Sequence, residues 1–531
     1  MLFLRYFTLL CISMFSFQGF TTSFKPTPQR TRTTLRIGTI EKISRLDPLN
    51  PDNKASEWAL TLINRPLFFH DQQGNMICPL CETVPSLEND GIKIHPKNSQ
   101  RVSITITLRS NQRWGDGTKI TVKDILTWWK FAQTSNQKTA LSSHVRSFEE
   151  DPTSPNKIII HLKNAEYEHR FLPELRLLPS HHFSTDKPSV NFMAYPNPGH
   201  SHTPWVLASH TQNKISFHQN PFSATTAGLE HIEIISFSKE KYLKEALQSN
   251  KIDITIETLT PLESHSKFHR HTFGPSQILD HFVINTRNPL LRSSRIRSAL
   301  LALTKVDTEH PATTFLHPKS FSKISPPQTL WDPEIAAKNL KEQGWVPQKN
   351  GLYMKKGKNL HINLIYPEEK VGLHKMFTAL KKTWFAHGII LDLEKIPKKD
   401  WVQRLKKSLF TGLAWTAWTV PIEVPSAHLF HSHFIPSDSN NFMGQNIGGY
   451  MSPDFDRTLN SIRHQFKAHM HIKKLHHLQN IFLNDPPILP LQYRSWSSWI
   501  AKDLQGYRLT YSTEPSSRFA ENWYWPHFMT Q

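Results

Sequence analysis

Two thiols three residues apart are the side chains best placed to do chemistry. Cys78 and Cys81 flank Pro79 and Leu80 in a Cys-Pro-Leu-Cys segment. In an oxidising compartment such a pair can close a small disulfide. The same spacing occurs in redox-active dithiols and in half of a zinc site. A redox dithiol needs a thioredoxin-like strand-to-helix context, and the flanking sequence does not supply one.

Histidine is the second chemically capable residue type, with 30 copies in 531 residues. Two of them, His265 and His269, have the i, i+4 spacing that would let them share a metal ion on one helix face. The sequence contains neither a His-Glu-x-x-His nor a Gly-x-Ser-x-Gly motif. We therefore assign no catalytic residue, metal ligand or cofactor from sequence, and we expect that the protein is not an enzyme. The histidine groups are His265, His269 and His271; His428, His431 and His433; and His469, His471, His476 and His477.

Residues 102–131 predict the clearest structural element, a strand followed by a turn and a helix. Apolar side chains at the even positions 102–108 alternate with polar ones, which is typical of a strand with one buried face. Asp116-Gly117 predicts a turn, because glycine accepts positive φ at little cost. Thr121 is predicted to cap a helix, with Asp124 in its first turn. The apolar stripe of that helix is Val122, Ile125, Leu126, Trp129 and Ala132.

Length and charge limit the classes of protein that fit. A chain of 531 residues exceeds what one hydrophobic core usually supports, so two or more lobes are expected. The formal net charge of +20 is scattered in short lysine pairs, without an aromatic and basic module of the nucleic-acid-binding type. Nucleic acid is therefore not expected as a partner.

The N-terminus has the pattern of an export signal. Arg5 precedes an apolar stretch, residues 6–17, that is too short to span a bilayer. We interpret residues 1–23 as a signal peptide. Residues 24–34, rich in Lys, Arg, Pro and Thr, are then expected to form a flexible leader.

Cys11 raises the alternative of a lipid anchor. Lipid-attachment sites need a small residue before the cysteine, whereas Leu10 occupies that position. We therefore expect a soluble periplasmic protein rather than a lipoprotein.

The strand, the Trp-x-Asp-Gly turn and the capped helix together resemble the signature of the family 5 bacterial extracellular solute-binding proteins. These are the oligopeptide-, dipeptide- and nickel-binding components of ABC importers. Further segments of the chain resemble family passages in the same order, at residues 44–48, 65–68, 74–80, 178–183, 282–302, 448–456 and 486–491. The resemblance implies an α/β, bilobed periplasmic binding protein type II fold with an extra inserted subdomain and a hinged cleft.

The same resemblance implies a division of the chain. Lobe I would be discontinuous, an inserted subdomain would follow its first segment, and lobe II would be continuous. The two crossings between lobes, near 280–285 and 489–496, would act as hinges that close around a ligand. The expected ranges are 35–65, 188–280 and 495–531 for lobe I, 66–187 for the subdomain, and 281–494 for lobe II.

Peptide binders of this family hold the ligand backbone like an added strand. Trp415 and Trp418 would point to opposite faces of their strand, so at most one of them faces the cleft, and Trp418 matches the family's cleft position better. The resemblance places the two contact strips at Asp52, Asn53 and Lys54 on one lobe, and at Ala417, Trp418 and Thr419 on the other.

One departure from the family concerns the partner of the ligand's ammonium group. Family peptide binders carry an Asp four residues before a Pro, because a carboxylate offsets a desolvated ammonium. Here Pro425 matches that Pro, and Pro421 stands at the Asp position. Glu423 is the nearest acid on the segment. It could serve as the ammonium partner, or it could be a surface carboxylate that stabilises the loop. Asp52 is the candidate from the facing lobe.

The expected function is that of the substrate-binding component of an ABC importer. It would capture oligopeptides, including cell-wall peptides, and act as a monomer with an inner-membrane permease. The alternative keeps the fold and changes the cargo to a metal chelate, haem or another non-peptide solute. The family has a Pro-x-Leu-Ala stretch at the position of Cys78 to Cys81, so these thiols are expected to be structural and dispensable for ligand binding.

Overall fold

The computed structural model describes residues 33–71, 74–95, 101–134, 144–163, 169–183, 190–194, 196–259, 266–317, 327, 329–368, 371–421, 425–465, 468–509 and 514–526. The predicted signal peptide, most of the predicted leader, His265 and Glu423 lie outside these ranges. Within them, no helix combines the length and the apolar character needed to cross a bilayer.

Helices and strands alternate along much of the chain, as an α/β fold requires. The α-helices are α1 (Lys54–Ile63), α2 (Val122–Thr134), α3 (Glu240–Gln248), α4 (Ser294–Ala302), α5 (Pro333–Glu342), α6 (Val371–Ala386), α7 (Lys398–Lys406), α8 (Ala427–Phe430), α9 (Pro453–Arg463) and α10 (Ala468–Asn484). Short 3-10 helices lie at His169–Glu174, Pro198–His200, Ser432–Phe434, Asp438–Asn440 and Ser516–Asn522.

The strands fall into one large sheet and three smaller ones. They are β1 (Thr34–Thr39), β2 (Phe69–His70), β3 (Met76–Ile77), β4 (Ile92–Ile94), β5 (Val102–Thr107), β6 (Val145–Glu150), β7 (Lys157–Leu162), β8 (Trp205–His210), β9 (Lys214–Gln219), β10 (His231–Ser236), β11 (Ile254–Thr255), β12 (His269–Ile284), β13 (Val346–Pro347), β14 (Tyr353–Lys355), β15 (Lys358–Asn359), β16 (His361–Pro367), β17 (Ile390–Ile396), β18 (Leu413–Thr419) and β19 (Ile488–Ala501). The large sheet has the order β17-β16-β18-β12-β19-β11-β1-β10-β9-β8.

In the described part of the chain, two large hydrophobic cores lie along this sheet, with a small third cluster formed by Leu243, Ala246, Leu247 and Ile252. The first takes its buried side chains from residues 35–256 and 500–525, and the second from residues 279–493. The long antiparallel strands β12 and β19 run from one core to the other. Their register shifts between Pro275 and Leu279 and again between Asp280 and His281. Such irregularities bend a strand, so the change of core coincides with a local break in regular pairing. The residue boundaries predicted for the lobes stay predictions.

An ion pair joins the two long strands where they change core. Arg494 on β19 places Nη2 2.9 Å from Oδ1 of Asp280 on β12, and its Nε also donates to that carboxylate. Gln492 donates to the same carboxylate at 3.1 Å. Asp280 is buried, so these three contacts offset the cost of removing its charge from water.

The predicted strand, turn and helix at residues 102–131 are present, and a buried carboxylate organises them. The carboxylate of Asp124 accepts the amide of Thr121 at 2.8 Å, which is the backward contact of a capping box. It also accepts the indole N–H of Trp114 at 3.2 Å and the amide of Ser180 at 2.8 Å. The turn, the start of α2 and the segment after residue 178 are therefore tied to a single side chain.

The two thiols of the Cys-Pro-Leu-Cys segment form a disulfide between Cys78 and Cys81. Both residues are buried, and Cys81 pairs with Leu108 in an isolated bridge beyond the end of β5. Of the alternatives that the spacing left open, the structure shows the structural disulfide.

Candidate functional site

A cavity of about 360 Å³ opens beside β19 at the start of α1. Its volume lies in the range typical of sites for small ligands. Its wall combines the end of β1, the first residue of α1, the start of α3, the segment after β11 and one indole of β19. The lining residues are Gly38, Thr39, Ile40, Glu41, Lys54, Glu240, Leu243, Ile256, Glu257, Thr258, Leu259 and Trp496.

The cation of this cavity is Lys54, and its position follows from the cap of α1. The side chain of Asn53 accepts the amide of Ser56 at 2.9 Å and donates to the carbonyl of Lys42 at 2.8 Å. This cap fixes the start of the helix and therefore the backbone of Lys54. The ammonium of Lys54 lies 4.4 Å from the ring centroid of Trp496, a favourable cation–π geometry.

Carboxylates lie on the same wall as this cation. Glu257 is buried and accepts the indole N–H of Trp58 at 2.7 Å, the Tyr507 hydroxyl at 3.2 Å and the Ser516 amide at 3.1 Å. Burial and then the charge of Glu257 raise the pKa of the Tyr507 hydroxyl well above its ordinary value, so Tyr507 remains a donor. Glu41 accepts the amide of Ala55 at 2.7 Å.

Asp52 occupies a different position from its neighbour Lys54. Its carboxylate accepts the hydroxyl of Ser44 at 2.8 Å and pairs with Nε of Arg45 at 2.6 Å. Of the first predicted strip, Lys54 lines the cavity, Asn53 caps the helix that carries it, and Asp52 ties down the preceding loop. A direct contact of these residues with a ligand stays a prediction.

The second predicted strip lies at the end of β18. Ala417, Trp418 and Thr419 pair with Asp280, Leu279 and Ile278 of β12. On its other side β18 pairs with β16 only at Leu413 and Ala414. Among the described residues, no other strand covers this side of positions 415–419. Trp415 and Thr416 are buried and the indole N–H of Trp401 donates to the carbonyl of Trp415 at 3.2 Å, so the open edge is formed by residues 417–419.

The two tryptophans of β18 differ in exposure. Trp415 is 3% exposed and packs on Trp401 at 5.8 Å between ring centroids. Trp418 is half-buried, and its ring centroid lies 3.8 Å from that of His281. Trp418 and Thr419 retain exposed surface. None of the residues of the second strip, Ala417, Trp418 and Thr419, lines the cavity at Lys54. Pro421 follows the strip, and Glu423 lies outside the described residues.

Sequence reasoning missed most of the cavity. Glu41, Glu240 and Glu257 carried no local signal, because each lies on a different segment of the chain from Lys54 and no motif links them. Trp496 was signalled only indirectly, as the last residue of the second predicted crossing. Since the cavity forms where distant segments meet, no single motif could have identified it.

In the first histidine group of the sequence, His269 is hydrogen-bonded within the protein. Both ring nitrogens of His269 are engaged, with Ser266 at 2.8 Å and with the carbonyl of Ile252 at 2.9 Å. Within the described ranges, the side chains whose ligand atoms converge tightly enough for a metal ion are Asp116, His181 and His182. Burial raises the pKa of the Asp116 carboxyl, but hydrogen bonds from Thr118 and the two histidines outweigh it and leave this pKa well below its ordinary value.

Comparison with known proteins gives a consistent answer. The sequence matches the family described as bacterial extracellular solute-binding proteins, family 5 Middle, over residues 97–434. No curated protein matches the sequence. An ABC transporter substrate-binding protein from Sinorhizobium meliloti is similar in structure, with a TM-score of 0.72 at 17% identity, covering 93% of this chain and 100% of that one.

Two further solved structures show how varied the cargo of similar proteins is. The oligopeptide-binding protein of Thermus thermophilus, complexed with a pentapeptide, has a TM-score of 0.60 at 18% identity and covers 93% of this chain and 96% of its own. NikA from Brucella suis, complexed with Fe(III)-EDTA, has a TM-score of 0.67 at 16% identity and covers 93% and 100%. At these identities the similarity establishes the fold, and it confirms the predicted α/β bilobed class.

The family match spans more than half of the chain, and the two cores, the long crossing strands and the solved structures agree with it. The chain belongs to the bacterial extracellular solute-binding proteins of family 5.

Proposed function

We propose that this protein is the periplasmic substrate-binding component of an ABC importer, and that it captures oligopeptides, including cell-wall peptides. Residues 1–23 would direct its export. The protein would act as a monomer that closes around its cargo and delivers it to an inner-membrane permease. The predicted lobes, 35–65 with 188–280 and 495–531 on one side and 281–494 on the other, would be the bodies that close.

The observation that carries the peptide assignment is the open edge of β18. The pairing of β16 with β18 stops at Ala414, whereas β12 continues to Thr419. An uncovered edge offers main-chain donors and acceptors to an extended peptide, which gains affinity independently of its side chains. Trp418 and Thr419 lie on this part of the strand.

The charges of the cavity support the same cargo. Lys54 contributes an ammonium and Glu41, Glu240 and Glu257 contribute carboxylates, of which Glu240 also pairs with Lys244 at 2.7 Å; most of the other lining residues are apolar. A peptide carries an ammonium, a carboxylate and apolar side chains, so it can match each of these groups. A strongly anionic chelate would meet like charges at the three glutamates.

Added peptides test this proposal through thermal unfolding. A ligand that binds only the folded state stabilises it by about 2.7 kcal/mol at a hundredfold excess over its Kd. Mixed short peptides should therefore raise the Tm by several degrees. Calorimetry with a peptide that produces a shift then gives the affinity.

Trp418→Ala should weaken that affinity by at least about tenfold, because it removes the aromatic surface beside the open edge. Trp331→Ala is the matched control, since Trp331 is also half-buried on the second core and also contacts a histidine ring, that of His387. Equal losses in both variants would refute a contact role for Trp418.

If a metal chelate or haem raises the Tm and peptides do not, the non-peptide alternative replaces this proposal. Hydrolysis of the added peptide would favour an enzyme instead.

A further inference from the structure

Away from the cavity, the side chains of Asp116, His181 and His182 bring together three atoms that could bind a metal ion. The Nε2 atoms of His181 and His182 lie 2.8 Å and 3.2 Å from the same oxygen, Oδ2 of Asp116. All three ligand atoms lie within 4.8 Å of one another. Ligands of a tetrahedral zinc ion, each roughly 2.0–2.1 Å from the metal, are about 3.3 Å apart. The two contacts to Oδ2 lie within about 0.5 Å of this spacing, so an ion can enter between the three groups when they move apart slightly.

Backbone contacts hold the donors in place without a metal. The other carboxylate oxygen of Asp116 accepts the amide of Thr118 at 2.9 Å, which orients Oδ2 towards the histidines. The amide of Ser180 is bound to the buried Asp124, which fixes the residue that precedes the two histidines. Gly115 donates its amide to the carbonyl of Ser201 at 2.8 Å and brings a third segment alongside. A site organised in this way loses little conformational freedom when it binds an ion.

The third segment, residues 199–201, supplies two independent observations about the space beside these donors. A Cβ atom at Gly199 would clash with Oδ2 of Asp116 and with Nε2 of His182, so the glycine keeps the space at these donors open. The next residue, His200, is 6% exposed, and its Nδ1 has no hydrogen-bond partner within the described part of the chain. Its ring centroid lies 5.7 Å from that of His182. A buried polar atom without a partner is costly, so this nitrogen is an unsatisfied group in the ring next to the cluster.

Access and donor chemistry define the ion. The side chains of Asp116, His181 and His182 are 25%, 28% and 29% exposed, so an ion can enter from solvent. Two imidazole nitrogens and one carboxylate oxygen suit zinc, nickel and copper better than calcium or magnesium, which prefer oxygen ligands.

We propose that Asp116, His181 and His182 form a site for a divalent transition metal of the zinc type, which clamps the turn at 114–117 to the segment 179–183. The site shares no residue with the cavity at Lys54 or with β18. It is therefore independent of the cargo that the protein carries.

Calorimetric titration of chelator-treated, tag-free protein with zinc chloride tests the proposal. We expect one ion per chain with a micromolar or tighter Kd, and a rise in Tm with zinc. Cobalt(II) provides a second readout, because its visible absorption reports nitrogen and oxygen ligands in a protein site. His181→Gln and His182→Gln should each weaken zinc binding by at least about tenfold and abolish the cobalt band.

The matched control is the double variant His476→Gln with His477→Gln, which removes another adjacent and exposed histidine pair, on α10. It should leave zinc affinity unchanged. Without zinc, His182→Gln should retain the wild-type Tm and peptide affinity, which separates this site from the proposed function. The proposal is overturned if zinc does not bind, if binding survives both single substitutions, or if the control variant loses it. Asp116 would then be a hydrogen-bond acceptor only.

Discussion

At the scale of single residues, the charges of the cavity are arranged by contacts within the protein before any ligand arrives. Asn53 fixes the start of α1, three donors surround Glu257, and the ring of Trp496 lies beside the ammonium of Lys54. Groups that already have their binding orientation lose little conformational freedom when a ligand binds, so this preorganisation favours binding. Lys54 lines this cavity and is the residue of the first strip whose removal should matter most.

Lys54→Met should weaken binding of a peptide with a free carboxylate by about tenfold, because the substitution keeps the length of the side chain and removes its charge. The same variant should bind a peptide amide almost as well as the wild type. Calorimetry with the two peptides measures the difference.

Lys239→Met is the control, since Lys239 is exposed beside the cavity residue Glu240 without lining the cavity. A loss of affinity that is equal for the acid and the amide would show that Lys54 acts through packing rather than through charge.

At the scale of elements, β12 contains the first predicted hinge and also a group sensitive to pH. His281 on this strand is fully buried between β18 and β19, where its ring lies against Trp418. Burial lowers its pKa to about 3, although a hydrogen bond with the carbonyl of Leu279 opposes the shift. The histidine is therefore neutral in the folded protein and gains a proton on unfolding at acid pH.

The sign of the resulting pH dependence follows from linkage. The full stability is present above the unfolded-state pKa of 6.5, and it falls as the pH drops from there towards about 3. Between about pH 7.5 and about pH 5, His281 should lower the free energy of unfolding by about 2 kcal/mol. In His281→Leu, this pH-dependent loss should be smaller by that amount. Denaturant unfolding at both pH values measures it.

His477→Leu provides the comparison, because His477 is exposed on α10. An identical pH-dependent loss in the wild type and in His281→Leu would show that His281 is protonated in the folded state.

The elements also show what could be predicted from the sequence. The strand, turn and helix at 102–131 were predictable because alternation, a turn dipeptide and a cap are local signals. The crossing strands were predictable only through the family resemblance. Neither the cavity nor the converging Asp116, His181 and His182 could be predicted. The carboxylate lies 65 positions from the nearer histidine, and only tertiary folding brings them together.

At the scale of the whole molecule, β12 and β19 run from one large core to the other, and the ion pair of Asp280 and Arg494 joins these strands where the core changes. A ligand shifts such a molecule towards a closed form only through contacts that it makes better in that form. The open edge of β18 packs on the second core, whereas the apolar wall of the cavity at Lys54 includes Ile256 of the first core and Leu243 of the small third cluster. An extended ligand that reaches both would couple its binding to closure.

The central claim is that the cargo is a peptide. Native mass spectrometry of the protein purified from its own periplasm tests it most directly, because tightly bound ligands remain attached during mild purification. We predict adducts that fragment into amino-acid or cell-wall peptide masses, and these adducts should diminish in Trp418→Ala but persist in Trp331→Ala. Adducts with the mass of haem, a metal chelate or another non-peptide solute would contradict the claim.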